Sequence, residues 1–352
     1  MRRRGRKVRT ALFVVVFFSA AWLNAGSLCA QDIHFSQFTQ APLNINPSQA
    51  GFIDGFYRGS IHYRNQWPSM GHSFNTMAAS FDMPFGIKKR QSAYFGAGVF
   101  IYTDKAGDAG MGTTQANLCG SGIVPLSPYT KFAGGINLAF AQQSVHFSSL
   151  QFGNQFTNGT YDPNLQSGET GSQSYTFFDA GAGVSFQYSN AKGNITRDDI
   201  LKVNFGVAGY HLNMPRQSFY SSSGDRLHPR FVAHGDARID IPHTKFSVVP
   251  SALFMLQGPN MEITAGALCR YRMKNGTKIT GAFSETAISL GVSYRVSDAI
   301  LPQVFFETGN FAVGFAYDVN VSTYREVSHM NGGFEISLRY VNLLDAIFEK
   351  GL

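Results

Sequence analysis

The sequence predicts an all-β fold: a transmembrane antiparallel β-barrel of about 14 strands behind a cleaved signal peptide. Three observations predict it. The first is composition. The 352-residue chain holds 37 Gly and 32 Phe, and only 14% of its residues are charged, against roughly 25% in an ordinary soluble domain. Disorder wants few aromatics and much charge, and a coiled coil wants heptads rich in Ala, Glu, Lys and Leu; the chain has neither. Mean hydropathy is −0.09, and beyond the first thirty residues no run of about 18 apolar residues exists to make a membrane helix. The second observation is strict alternation of apolar with small or polar residues. The third is length, since the alternating segments run ten to thirteen residues. About 9–11 residues suffice for a tilted strand to cross a hydrocarbon layer, whereas soluble strands usually have about 5–6.

The elements follow in chain order. Arg2, Arg3, Arg4, Arg6, Lys7 and Arg9 precede the apolar run 11–23 and a small-residue stretch ending Ser27-Leu28-Cys29-Ala30. That is the order of a secretory signal peptide, with cleavage after Ala30 and Gln31 as the mature N-terminus. Leu28 stands where a lipidated Cys29 would want a small neighbour, which disfavours a lipoprotein. The leader carries six of the formal +7 charges, so the mature chain is nearly neutral and gives no electrostatic case for nucleic acid. Segment 31–55 follows as a candidate plug, then the barrel over 56–342 and a tail over 343–352.

Fourteen strands are expected at 56–66, 74–85, 93–104, 112–124, 131–142, 175–188, 201–213, 229–241, 245–256, 261–273, 286–296, 300–307, 311–321 and 332–342. In 311–319, Phe311, Val313, Phe315, Tyr317 and Val319 oppose Ala312, Gly314, Ala316 and Asp318. Phe178, Ala180, Ala182, Val184 and Phe186 likewise oppose Asp179, Gly181, Gly183 and Ser185. A period of two marks a strand with a different solvent on each face. An even strand number lets a bacterial barrel begin and end on one side, and closure leaves no unpaired edge. Tyr63, Trp67, Tyr94, Tyr102, Tyr188, Tyr271, Tyr294, Tyr317 and Tyr340 sit near strand ends, where they would build interfacial girdles. With the first strand rising from the periplasm, the two longest connections, 143–174 and 214–228, fall outside. They are rich in Ser, Gly, Asn and Gln, which suits protein recognition or a lid.

Signals for chemistry are absent. There is no zinc spacing, no Gly-x-Ser-x-Gly elbow and no Walker loop, and His62, His146, His211, His234 and His329 have no partner at ligand spacing. Asp104 and Asp108 with Gly107 and Gly110 read as a Gly/Asp turn rather than a calcium loop. No catalytic residue, cofactor or metal is expected. Cys119 and Cys269 fall in expected strands; export would permit a disulfide, and two small apolar side chains is the plainer reading.

Several segments in order resemble the PorP/SprF family of the type IX secretion and gliding apparatus. These are Gln31-Asp32-Ile33-His34-Phe35-Ser36-Gln37-Phe38, Ala41-Pro42-Leu43, Asn46-Pro47-Ser48-Gln49-Ala50-Gly51, and Tyr63-Arg64-Asn65-Gln66-Trp67. Further along come Asp104-Lys105-Ala106-Gly107, Gly209-Tyr210-His211-Leu212, Tyr294-Arg295 with Asp298, and Tyr317-Asp318. The resemblance implies a non-catalytic outer-membrane component that helps export, or anchors, a large surface protein with a gliding-type C-terminal domain. It also implies a periplasmic partner, a peptidoglycan-binding OmpA-like lipoprotein, and outer-membrane lipid around the barrel. Asn46-Pro47 either ends an extended segment or belongs to a plug, as in the similar segment of fatty-acid-transporter barrels. The competing reading is such a transporter, which would pass hydrophobic small molecules. The inward residues of the clearest strands, mostly Gly, Ala, Ser, Asn, Asp and Arg, point away from it.

Overall fold

The alternation that predicts strands also dictates which face of each strand meets which solvent. The computed structural model describes residues 32–343 apart from 71–72, 87–91, 108–109, 147–149, 158, 169–173, 191–199, 220–223, 275–284 and 324. The signal peptide, Asp108 and the tail beyond residue 343 lie outside the described residues.

Fourteen strands pair antiparallel in a closed ring. They are β1 (Gly55–Gln66), β2 (Phe74–Phe85), β3 (Tyr94–Ala106), β4 (Met111–Pro125), β5 (Thr130–Ser144), β8 (Ser174–Ser189) and β9 (Leu201–Tyr210). After these come β10 (Arg230–Asp240), β11 (Phe246–Gln257), β12 (Asn260–Lys274), β13 (Thr286–Arg295), β14 (Ala299–Thr308), β15 (Phe311–Asn320) and β16 (Asn331–Leu343). Two short strands, β6 (Phe156–Thr157) and β7 (Thr160–Tyr161), make a separate hairpin inside the connection 145–173. Neighbours in the ring are neighbours in sequence, and β1 closes on β16 with Ser60 opposite Arg339 and Arg64 opposite Glu335.

The two faces of the wall are chemically opposite. Phe95, Leu118, Ile136, Phe178 and Leu290 are exposed on the outside, while their sequence neighbours or near neighbours Asn117, Asn137, Asp179 and Ser289 are buried inside. In β15, Phe311, Val313 and Phe315 face out and Ala312, Ala316 and Asp318 face in. An apolar outside around a polar inside is the reverse of a soluble fold, and closure satisfies the backbone in hydrocarbon. The strands belong in an outer membrane. The connections 145–173 and 211–229 leave from one end of the ring, termed the outer rim because bacterial barrels carry their longer loops outside.

Two girdle residues depart from expectation. Tyr94 and Tyr102 are each only 7% exposed and point inward. β3 is apolar on both faces, because its inner face packs against other apolar residues rather than water. Those residues come from segment 32–54, which runs inside the ring from the outer rim to the inner one. It folds as a 3-10 turn (Phe38–Gln40), one turn of α-helix (Pro42–Ile45) and a second 3-10 turn (Pro47–Gln49). Phe35 and Leu43 pack with Phe100, Tyr102 and Cys119. Phe38 and Ile45 meet Tyr210, Val232, Leu253 and Met255, and Phe52 meets Tyr94, Ile123 and Ala133. Cys119 is buried and Cys269 exposed, and both are free thiols. Beneath the segment, at the inner rim, a cavity of about 420 Å³ remains.

Candidate functional site: the luminal segment and its receptors in the wall

A polar chain inside a barrel must satisfy its own backbone and the wall's side chains at once. Here that is done in four places along segment 32–54.

At the outer rim, β9 ends and His211 takes a left-handed conformation, φ 56°. Its Nε2 lies 2.5 Å from Asp32 Oδ2 and its Nδ1 3.0 Å from Asp179 Oδ1, so the ring is clamped between two carboxylates. Arg230 approaches Asp32 at 3.3 Å, and Gln257 donates to it at 3.2 Å. Burial alone would lower the His211 pKa, but Asp32 and Asp179 outweigh it and push it up to about 9. Burial raises the Asp32 carboxyl, yet His211 and Arg230 hold it well below the usual carboxylate range. Nearby His34 is driven well below the usual imidazole value, by burial first and then by Arg64 and Arg295.

Deeper in, Ser36 is the hub. Its N–H donates to Glu335 Oε2 at 2.7 Å, and the N–H of Gln37 donates to Oε1 at 3.1 Å. The Ser36 hydroxyl donates to Asp318 Oδ1 at 2.7 Å and accepts from Arg295 Nη2 at 2.9 Å. Arg64 donates to the His34 carbonyl and to Asp318 Oδ2, each at 2.9 Å. Arg295 reaches Asp298 at 3.0 Å and Asp318 at 3.2 Å. Strands β1, β13, β15 and β16 thus close on one turn of the segment. Buried ions paired and hydrogen-bonded in this way are costly to break one at a time.

In the third place, Asn46 Oδ1 accepts from the Ser48 N–H and hydroxyl, and its Nδ2 donates to the Val184 carbonyl at 3.0 Å and Ser185 Oγ at 3.1 Å. Pro47–Ser48 lies so close to β5 that a Cβ on Gly135 would stand 2.6 Å from Ser48 N. In the fourth, Gly51 has φ +61° and its N–H donates to Asp82 Oδ2 at 2.8 Å. Arg58 holds the same carboxylate by two bonds of 2.9 Å. Asp54 then meets Lys131 and Lys202, each at 2.9 Å. Lys202 first, with Lys131, drives its carboxyl far down against burial.

The structure therefore brings Asn46, Pro47, Gly51, Arg64, His211, Arg295 and Asp318 to the luminal segment, and Asp298 reaches it only through Arg295. It leaves Tyr63, Asn65, Gln66, Trp67, Asp104, Gly107, Tyr294 and Tyr317 in the wall and its outer turns. Tyr63 and Asn65 both donate to Asn75 Oδ1, and Gln66 pairs with Phe74. Trp67, at φ 55°, donates its N–H to the Gly332 carbonyl and sits edge-on to Phe74. Asp104 accepts from Thr76 at 2.6 Å and Gly107 turns at φ +66°. The Tyr294 hydroxyl accepts from the Ser297 N–H, and Tyr317 donates to Asn331. Asp82, Asp179, Arg230 and Glu335 are not among the site residues expected from sequence, although each is an ionisable residue on the inward face of a strand. Among the described residues no group of three or more His, Cys, Asp or Glu could hold a metal ion. What this arrangement does chemically is grip a chain.

The profile of the family described as "Type IX secretion system membrane protein PorP/SprF" matches residues 27–340. The chain belongs to that family. As a PorP/SprF protein it is a membrane component of type IX secretion, a system the family links to gliding, and its closed ring is an outer-membrane barrel. Solved barrels share parts of its course. The toluene transporter TodX of Pseudomonas putida is 9% identical over 89% of this chain and 95% of its own, with a TM-score of 0.45. A FadL homologue of Pseudomonas aeruginosa is 10% identical over 84% and 92%, at 0.44. BamA of Haemophilus ducreyi lacking POTRA domains 1–3 is 8% identical over 82% and 70%, at 0.39. None of the curated proteins matches the chain.

Proposed function

We propose that this PorP/SprF protein is a sealed, non-catalytic anchor of the outer membrane. It helps export, or holds at the surface, a large protein with a gliding-type C-terminal domain. From the periplasmic side it associates with a peptidoglycan-binding, OmpA-like lipoprotein. Family membership across 27–340 carries the reading. Two features of the fold support it. Segment 32–54 acts as a plug: it is packed and hydrogen-bonded along the ring, so the lumen serves as a rigid core and not a passage. The outer connection 211–229 is stitched to the wall, as a platform for cargo should be. Leu212 N–H donates to the Ala180 carbonyl at 3.0 Å, Phe219 meets Tyr175 edge-on at 4.8 Å, and Gln217 donates to Gln143 at 3.4 Å.

Transport of hydrophobic molecules asks for a continuous apolar pocket, whereas the 420 Å³ cavity is walled by Arg58, Arg238, Arg270, Glu307 and Arg339. The test is removal of 214–228, which spares His211. The expected outcome is a barrel that still shows heat-modifiable migration on gels while surface-held cargo falls several-fold. Cargo display at the normal level would refute a role for that loop.

A further inference from the structure

The cavity at the inner rim shares Asp54, Arg58 and Lys202 with the last grip on the luminal segment, but most of its wall takes no part in holding that segment. Its roof is the apolar underside of that segment, Pro42, Ile45 and Phe52, and its wall is a row of basic side chains. Across the ring these come from β9 (Lys202), β10 (Arg238), β12 (Arg270), β16 (Arg339) and β1 (Arg58). The acids among them are already engaged. Asp54 holds Lys131 and Lys202, and Asp82, next to the cavity, holds Arg58. Asp240 holds Arg238. Glu285 and Glu307 both bond Arg270, at 2.7 Å and 2.6 Å, and Asp236 accepts from Asn204.

Arg339 is left with a share of Glu307 at 3.7 Å, too long for a hydrogen bond. Arg270 is buried and already taken by its two glutamates, so Arg339 is the guanidinium that faces the space. Guanidinium groups offer a fork that matches one carboxylate. An apolar roof beside such a fork fits an acid that carries a bulky apolar neighbour. At about 420 Å³ the space falls in the range of small-ligand sites, about 300–1,000 Å³.

We propose that this cup binds a short acidic peptide segment of a periplasmic partner, with its carboxylate on the part-exposed Arg339 and its apolar side chain under Ile45 and Phe52. A peptide suits the cup better than a fatty acid, because five basic and four acidic side chains line it. The proposal rests on the orientation of the barrel and not on the cargo role, so loss of one leaves the other standing.

The test uses the full-length mature chain in detergent and two labelled, amidated peptides, acetyl-Leu-Phe-Glu-Leu and acetyl-Leu-Phe-Gln-Leu, read by fluorescence anisotropy. The acidic peptide should bind at least tenfold more tightly, Arg339→Gln should erase that preference, and Arg339→Lys should keep part of it. Higher salt should weaken the acidic peptide only. Equal binding of the two peptides, or a preference that survives Arg339→Gln, overturns the proposal, as does laurate displacing the peptide at lower concentration than the peptide itself binds. Should Arg339→Gln fail to fold, the wild-type chain decides: a photo-crosslinking Phe in the acidic peptide should label the inner rim near Asn310 or Val341, and labelling of 145–173 or 211–229 instead overturns it.

Discussion

His211 shows how one side chain can tie two distant parts of the chain. Its ring joins Asp32, 179 positions away, to Asp179 in β8. Because its pKa in place is raised from 6.5 to about 9, the tie is at full strength below about 6.5 and fades as pH rises through 9. Asp32, lowered from 3.8, adds a contribution that is full above that value and lost in stronger acid. The end of the luminal segment should therefore be held best between about pH 4 and 6.5 and loosen toward pH 10. Hydrogen exchange at residues 32–36 against pH checks this, and protection that is flat up to pH 10 would contradict it. His211→Ala should leave Asp179 buried without a counter-ion, at a cost of about 3–5 kcal/mol, seen as a lower heat-modification temperature. Asn46→Ala removes a network inside the segment and should cost about 1–3 kcal/mol by the same assay.

At the scale of elements, the strands were legible and the plug's receptors were not. Every expected strand is present, with ends within three residues of those observed, because grease outside and polar groups inside impose a two-residue period on each. β3 misled for a physical reason: Phe100 and Tyr102 cover Phe35 and Leu43, so the inner face is apolar as well and alternation carries no direction. The hub of Ser36, Arg64, Arg295, Asp318 and Glu335 joins positions up to 299 apart, and nothing in a local window announces such pairs. The opening string 31–38 and the Asn46–Gly51 string were visible only as a resemblance; their receptors explain them. The faces themselves can be tested. Phe315→Arg puts a charge on the lipid face and should cost roughly 2–4 kcal/mol of insertion, read as lost outer-membrane yield. Gly314 is a poor comparison, since a Cβ there would strike Gln37, Phe305 and Ser337. Asn204→Arg, which faces the inner cavity, is the better one and should insert normally. Equal loss for both variants would contradict the assigned faces.

As a whole molecule, the protein is a wall of fourteen strands built around a length of its own chain. Each strand is marginal alone and gains from its neighbours on both sides, while the segment ties β1, β2, β4, β8, β9, β13, β15 and β16 from within. Such a body should resist extraction and deformation, as the proposed anchor role requires, and its two longest connections leave from one rim. The account turns on that lumen being closed by residues 32–54. Planar-bilayer recording of the purified barrel measures this most directly. The intact protein should show no stable conductance, and a variant lacking residues 32–52 that still migrates as a folded barrel should open steady steps. Steady conductance through the intact protein, unchanged by the deletion, would contradict the account.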